Sequence, residues 1–280
     1  MLEIGIKERL EDDLQEAVVN IVQNGLIITE SEKSYYLKSG SPSSTYLCEA
    51  NSLKELALAE VIGVARVASV GKDYILTEYI NSSYPSGDFF TLLGSQLAQL
   101  HHQQAPDYGF YEDNFIGATP QLNRATDEES KDWPTFFFNK RLLYQYRLAE
   151  KNNYITETLR KGMLFLEKNI KSIIGESIEK PTLLHGDLWA GNFICSDKNK
   201  PYLIDPAVYY GHREADLAMT KVFGGFSPEF YRSYQREFPL SIGWEHREPL
   251  YKLYHILNHL NLFGRGYLKE AEQLMSYYMG

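Results

Sequence analysis

The segment His185-Gly186-Asp187-Leu188-Trp189-Ala190-Gly191-Asn192, followed thirteen residues after Asn192 by Asp205, constrains this chain more than any other feature. Apolar runs frame it: TLL precedes His185, NFICS begins at Asn192, and YLI leads into Asp205. Runs this short, bounded by polar and glycine residues, predict strands carrying a loop. Two carboxylates and a carboxamide are then held close together, so the fold must pack enough structure around the loop to fix them. At 280 residues the chain has length for roughly two domains or lobes, and its 44% hydrophobic content is that of an ordinary globular protein.

The rest of the chain divides unevenly. Ile6, Leu10, Leu14, Ala17, Val18, Ile21 and Val22 recur at helical spacing, with Gly25 as the stop signal, and predict an opening helix. The β-favouring runs LIITESE, SYYLKSG, VARVASVG and DYILTEYI follow, with a helical stretch around 49–59 among them. They predict a small α+β lobe over residues 1–80. From Ser86 onward the pattern turns to long amphipathic stretches (88–102, 133–151, 156–174, 227–238, 246–263 and 267–279), so residues 81–280 form a mostly helical lobe. Residues 104–132 are a long polar connection, longer than compact domains usually allow, and predict a functional flap. No internal repeat or low-complexity tract is present.

Charge narrows the function classes. Lys and Arg total 28 against 37 Asp and Glu, and a net charge of -9 argues against a general nucleic-acid surface. The first residues, MLEIGIKERLEDDLQ, lack the basic start and apolar core of a secretion signal. The most apolar stretch, 56–70, is broken by Glu60 and Arg66, which argues against a membrane span. Two distant cysteines, Cys48 and Cys195, fit a reducing compartment and a cytoplasmic protein.

The spacing H-x-D-x-x-x-x-N with a later Asp suits phosphoryl transfer. That reaction needs one carboxylate to orient or deprotonate the attacking hydroxyl, and oxygen ligands opposite it to hold Mg²⁺ against the phosphates. Asp187 suits the first role, and Asn192 with Asp205 the second. The plainer alternative is a solvated polar loop, which the strands on both sides and the downstream Asp-Pro-Ala argue against. His255 and His259, four apart on a predicted helix, have a metal-compatible spacing but no evident third ligand, so packing or substrate contact is the better expectation.

With LLHGDLWAGN, IDPAVYYGHREADLAMT, FGGF, DWPTFF followed by Arg141-Leu142, and LNHLNLFG, the chain resembles the fructosamine kinase (ketosamine-3-kinase) family, whose protein-kinase-like fold is close to that of aminoglycoside phosphotransferases. The resemblance implies an α+β, two-lobed protein-kinase-like fold with ATP in the cleft, and an ATP- and Mg²⁺-dependent kinase acting on the O3 hydroxyl of ketosamines, free or protein-bound. It makes Asp187 the proton acceptor, Asn192 and Asp205 the magnesium ligands, and His185 and Asp216 structural supports of the loop. It also places Trp189 beside the sugar, where an indole face can stack on its C–H side, with simple packing as the plainer alternative. Lys38 in YYLKS matches the lysine that pairs with the phosphates, Glu49 its helix partner, and Glu78, Tyr79 and Ile80 the hinge that takes adenine. In the family a Gly-rich turn precedes the lysine strand. No glycine lies between Gly25 and Lys38, which predicts a loose phosphate cover over 28–38. The alternatives are a kinase of another hydroxylated amine, such as an aminoglycoside or a choline-like compound, and a nucleotide-binding pseudokinase.

Overall fold

In the computed structural model, which describes residues 4–22, 24–177 and 179–280, the opening helix α1 (Ile4–Leu14) is shorter than its apolar period predicts. Gln15 turns out of it with a left-handed φ of 52°. Val18, Val19 and Ile21 then form β1 (Val18–Ile21), antiparallel to β2 (Leu26–Thr29). β-Branched side chains lose rotamer freedom in a helix and pack well on a pleated surface, so the strand partner prevails over the periodicity.

β3 (Ser34–Ser39) follows, then α2 (Thr45–Ala57), the two-residue β4 (Gly63–Val64), β5 (Val67–Val70) and β6 (Tyr74–Glu78). The five-stranded antiparallel sheet runs β1-β2-β3-β6-β5, with β3 at its centre. Side chains alternate across a strand. Tyr35 and Leu37 therefore join Ile6 and Leu10 under α1, while Lys38 is delivered to the other face, where α2 packs through Ala50 and Leu53 onto Ile75.

After α3 (Phe89–Leu100) comes the stretch predicted to be a flap. It is instead packed structure: a hairpin, β7 (Asn114–Ile116) and β8 (Thr119–Gln121), and a short helix α4 (Asp127–Lys131) closed by a capping box between Thr126 and Glu129. Asn114, Gln121 and Asn123 are buried and bond one another and the carbonyls of Ala207 and Val208. Inward-facing amides leave no hydrophobic alternation, which is why the sequence pattern misses this hairpin.

The helical run through α5 (Trp133–Phe137), a π-turn at Phe138–Leu143 and α6 (Tyr144–Lys151) is continuous. Next come α7 (Glu157–Ile174), β9 (Thr182–Leu184), β10 (Phe193–Cys195), β11 (Pro201–Leu203), β12 (Tyr209–Gly211) and α8 (Glu214–Thr220). The chain ends with α9 (Pro228–Glu237), α10 (Trp244–Phe263) and α11 (Leu268–Ser276). α10 runs through the largest core, where Leu250, Tyr254 and Leu257 meet Trp133, Phe137 and Leu166. Gly94 on α3 lets α9 approach: a Cβ there would lie 2.3 Å from the Phe230 carbonyl oxygen. β4 pairs in parallel with β11, so the N-terminal region is hydrogen-bonded directly to the hairpin that carries the Asn192 and Asp205 loops.

Candidate active site

β9 delivers the chain into the loop at His185. Gly186 has φ 83°, and a Cβ on it would stand 1.9 Å from the Ala207 carbonyl oxygen, so no other residue fits. Asp216 on α8 accepts the His185 and Gly186 amides at 2.7 and 2.8 Å. Its carboxylate also faces His101 Nε2 at 3.3 Å, and His101 Nδ1 meets the Tyr234 hydroxyl at 2.7 Å. Burial works to raise Asp216, but the hydrogen bonds and the nearby histidines outweigh it and hold the carboxyl below its usual range. His185 spans the two loops, with Nε2 2.9 Å from the Ile204 carbonyl and Nδ1 3.3 Å from the Asp187 amide. Burial keeps its pKa low, so the ring is neutral, donating from Nε2 and accepting at Nδ1.

Asn192 donates from Nδ2 to the Asp187 carbonyl at 2.7 Å and to Asp187 Oδ2 at 3.3 Å. Burial pushes the Asp187 carboxyl up to about 7; the Asn192 bond opposes this, and the charges of Asp216 and Asp205 add to it. A general base at neutral pH works best in this range. Asp205, just past β11, has a left-handed φ of 54°. Its carboxylate contacts Lys38 Nζ, which also donates to Glu49 Oε1 at 2.6 Å. Burial alone would lower the Lys38 ammonium, and the two carboxylates reverse this and raise it. The short separation of Lys38 from Glu49 suffices because β3 ends at Ser39 and α2 begins at Thr45.

Two adjoining cavities share Lys38, Glu49 and Asp205. The first, about 340 Å³, also holds Asp187, Asn192 and Trp189. The second, about 290 Å³, is a slot between Leu53, Ala65, Ile194 and Ile204, closed by Glu78, Tyr79 and Ile80. Lys38, Glu49, Glu78, Tyr79, Ile80, Asp187, Trp189, Asn192 and Asp205 thus line these two cavities, and His185 and Asp216 lie behind the loop.

The predicted phosphate cover is corrected. The 30–33 turn joins β2 to β3 beside Ser34, whose carbonyl accepts the Tyr79 amide, and so lies at the hinge end of the sheet. The turn next to Lys38 is the β1–β2 connection, where Gly25 (φ 82°) accepts the Leu37 amide at 2.7 Å. A Cβ on Gly25 would lie 2.4 Å from the Leu37 carbonyl oxygen. The glycine of the turn beside Lys38 is therefore Gly25.

Other blocks turn out to be scaffold. Trp133 of DWPTFF is fully buried and donates to the Tyr251 hydroxyl. In GHRE, His212 bonds the Ser177 carbonyl, Arg213 pairs with Glu179, and Glu214 with Arg247. His255 is buried, its pKa pressed down to about 3, while His259 faces the first cavity. Among the described residues no group of three or more His, Cys, Asp or Glu is placed to hold a metal ion. No sequence pattern points to His101 or Asn114, whose partners Tyr234, Asp216 and Val208 are distant in the chain.

A sheet-and-helix region over a helical one, with a lysine–glutamate pair facing an Asp–Asn–Asp loop set, defines a phosphotransferase of the protein-kinase-like fold. A family model for fructosamine kinase matches residues 7–280, and the chain belongs to that family. It is 37% identical over 278 residues to a probable ketoamine kinase of Enterococcus faecium, covering 94% of this chain and 99% of that one. It is 39% identical over 211 residues to the chloroplastic protein-ribulosamine 3-kinase of Arabidopsis thaliana, covering 75% and 63%. A crystal structure of a candidate fructosamine-3-kinase from Thermobifida fusca superimposes with TM-score 0.90 at 26% identity, covering 98% of each chain. The fold alone extends to an ADP-bound aminoglycoside phosphotransferase, with TM-score 0.62 at 15% identity, covering 99% of this chain and 98% of that one. The protein is thus an ATP-dependent phosphotransferase that acts on a hydroxyl group.

Proposed function

We propose that the protein transfers the γ-phosphoryl group of ATP to the O3 hydroxyl of a ketosamine, the Amadori product of a reducing sugar and an amine. The observation that carries this reading is the convergence of Asp187, Asn192, Asp205 and Lys38 on one cavity beside a hinge-lined slot. The acceptor class is supported by family membership and by the names of the relatives.

Residues 1–80 act as the nucleotide lobe and 81–280 as the catalytic lobe. Adenine lies against Glu78, Tyr79 and Ile80, and Lys38, steadied by Glu49, meets the phosphates. The Gly25 turn covers them. Asn192 and Asp205 supply an all-oxygen donor pair that fits Mg²⁺, because the Asn192 amide nitrogen is engaged by Asp187 and its oxygen is left for the ion. Bound there, magnesium would neutralise phosphate charge. Asp187 accepts the proton of the acceptor hydroxyl as the new O–P bond forms and ADP departs with the old bridging oxygen. Trp189, half-exposed at the cavity, stacks on the sugar. Phosphate at C3 then becomes a leaving group once the C1–C2 unit enolises, so the sugar fragment is lost and the amine recovered, a repair of glycated protein. No described helix is long and apolar enough to cross a membrane, and the cytoplasm is the proposed location.

Phosphorus NMR of the enzyme with MgATP and a fructosamine, a ribulosamine or an aminoglycoside tests this. An O3 ester followed by inorganic phosphate and free amine is expected. An ester on the aminoglycoside alone would refute the acceptor class, and no ester on any acceptor would point to a pseudokinase.

A further inference from the structure

We infer that Tyr210 is a positioning residue for phosphoryl transfer: by holding Glu55 it fixes α2 on the catalytic lobe, and so keeps Glu49, on the same helix, against Lys38. The inference rests on the reading of Lys38 and Glu49 as the pair that meets the phosphates. It gives a role to the second tyrosine of YYGHRE, which the chemistry of the Asp187 loop does not use.

The two tyrosines point opposite ways, as neighbours on a strand must. Tyr209 is buried, its ring 4.1 Å from the Arg141 guanidinium carbon. Tyr210 faces α2, and its hydroxyl donates to Glu55 Oε1 at 2.8 Å. Burial and the adjoining carboxylate push the Tyr210 pKa well above its usual range, so at neutral pH the hydroxyl keeps the proton it donates. The backbone of Tyr210 is held on both sides. It exchanges two hydrogen bonds with Gly109, at 2.9 and 2.8 Å, and pairs with Leu183 on β9, two residues before His185. The strand pair that delivers the Asp187 loop therefore also carries the hydroxyl that holds α2, and the two sides of the site are set from one reference.

α2 meets the catalytic lobe along one stripe. Cys48, Asn51 and Glu55 stand three and four residues apart, the spacing of a single helix face. Asn51 Nδ2 donates to Glu112 Oε1 at 3.0 Å, and Cys48 Sγ faces the Asp113 carbonyl oxygen at 3.7 Å. Leu56 is buried in the core with Leu93, Leu97 and Val208, while Ala50 and Leu53 pack on Ile75 of the sheet. Apolar contact is non-directional and leaves a helix room to rotate. The hydrogen bonds along the stripe set that rotation. Of these the Tyr210 bond is the firmest, because its donor sits on a rigid ring anchored by backbone pairing, whereas Glu112 is a long, rotamer-rich side chain.

Rotation of α2 matters because Lys38 cannot follow it. Lys38 is fixed at the centre of the five-stranded sheet, and Glu49 Oε1 must come to 2.6 Å from its ammonium. Hydrogen bonds weaken steeply with misalignment, and a small error in a positioned group lowers turnover without any loss of fold.

The test is a double-mutant cycle between Tyr210→Phe and Glu49→Gln, read as kcat/KM for ATP with a fructosamine acceptor and as calorimetric MgATP affinity. Tyr210→Phe keeps the ring and removes only the donor. It should lower kcat/KM roughly three- to tenfold with a urea midpoint close to that of wild type, whereas in Glu49→Gln the same change should cost less than about twofold. Glu55→Gln retains an acceptor oxygen and should stay within about twofold of wild type. MgATP affinity should weaken with the same dependence on Glu49, so the cycle is read even if the fructosamine is not an acceptor. Should Tyr210→Phe lower the urea midpoint sharply, Glu55→Ala reads the same coupling from the α2 side. Equal losses in both backgrounds would make Tyr210 a structural residue alone, and no loss in either would mean that α2 is held without it; both results overturn the inference. If Lys38→Met leaves turnover and affinity unchanged, the reading of the lysine–glutamate pair falls, and this inference with it.

Discussion

Replacing Asp187 with asparagine should stabilise the protein while nearly abolishing turnover. Burial raises the folded-state pKa of Asp187 from 3.8 to about 7, whereas the unfolded chain keeps the ordinary value. The folded state thus binds the proton more tightly, and ionisation works against folding. Below pH 4 the group is protonated in both states and carries no penalty. Between about pH 4 and 7 only the unfolded state ionises, and stability falls with rising pH by about 1.4 kcal/mol per unit, to a ceiling of about 4 kcal/mol above pH 7. Asparagine keeps an acceptor for the Asn192 amide without the charge. Urea denaturation at pH 4, 6 and 8 should therefore give curves for wild type and Asp187→Asn that nearly coincide at pH 4 and separate as pH rises, the variant being the more stable. Turnover should fall by about 10²–10⁴, the usual worth of a positioned acid–base group, with ATP affinity little changed. In the wild type, kcat should climb with pH through about 7 as Asp187 ionises. A stability gap that is absent, or that closes as pH rises, would refute the burial argument; unchanged turnover would remove Asp187 from the chemistry.

Asp205→Ala should flatten the magnesium dependence of nucleotide binding in calorimetric titrations, and a normal dependence would place the ion elsewhere. Gly25→Val, which forces a side chain onto the Leu37 carbonyl, should raise KM for ATP about tenfold or more, whereas Glu30→Gly, in the turn at the hinge end, should leave it within about twofold; steady-state kinetics reads both, and tighter ATP binding in Glu30→Gly would restore the 28–38 segment as the phosphate cover. Asp216→Ala leaves the His185 and Gly186 amides without their acceptor and should cost about 2–5 kcal/mol in denaturant titration, with kcat reduced in whatever fraction stays folded.

The loop chemistry was legible because it is local. His185, Asp187 and Asn192 lie within eight residues, and Asp205 follows just past a later strand, so residue type and spacing alone pointed to the proposed catalytic set. The amphipathic helices from 86 onward were legible for the same reason, since a helix face is written at short range. What tertiary structure decided is whatever depends on competition between distant partners. Val18 to Val22 continue a helical period, yet a strand at 26–29 was available to pair with them, and pairing won. Asn114 and Gln121 read as loop polarity until the carbonyls of Ala207 and Val208, more than eighty residues on, made them a buried hairpin wall. Spacing alone marks Gly25 as the end of a helix, because its neighbour across the sheet, Leu37, is set by register. Asp187 could be named from the sequence, but its carboxyl near neutrality follows from burial, which exists only once α2, the hairpin and α10 close around it.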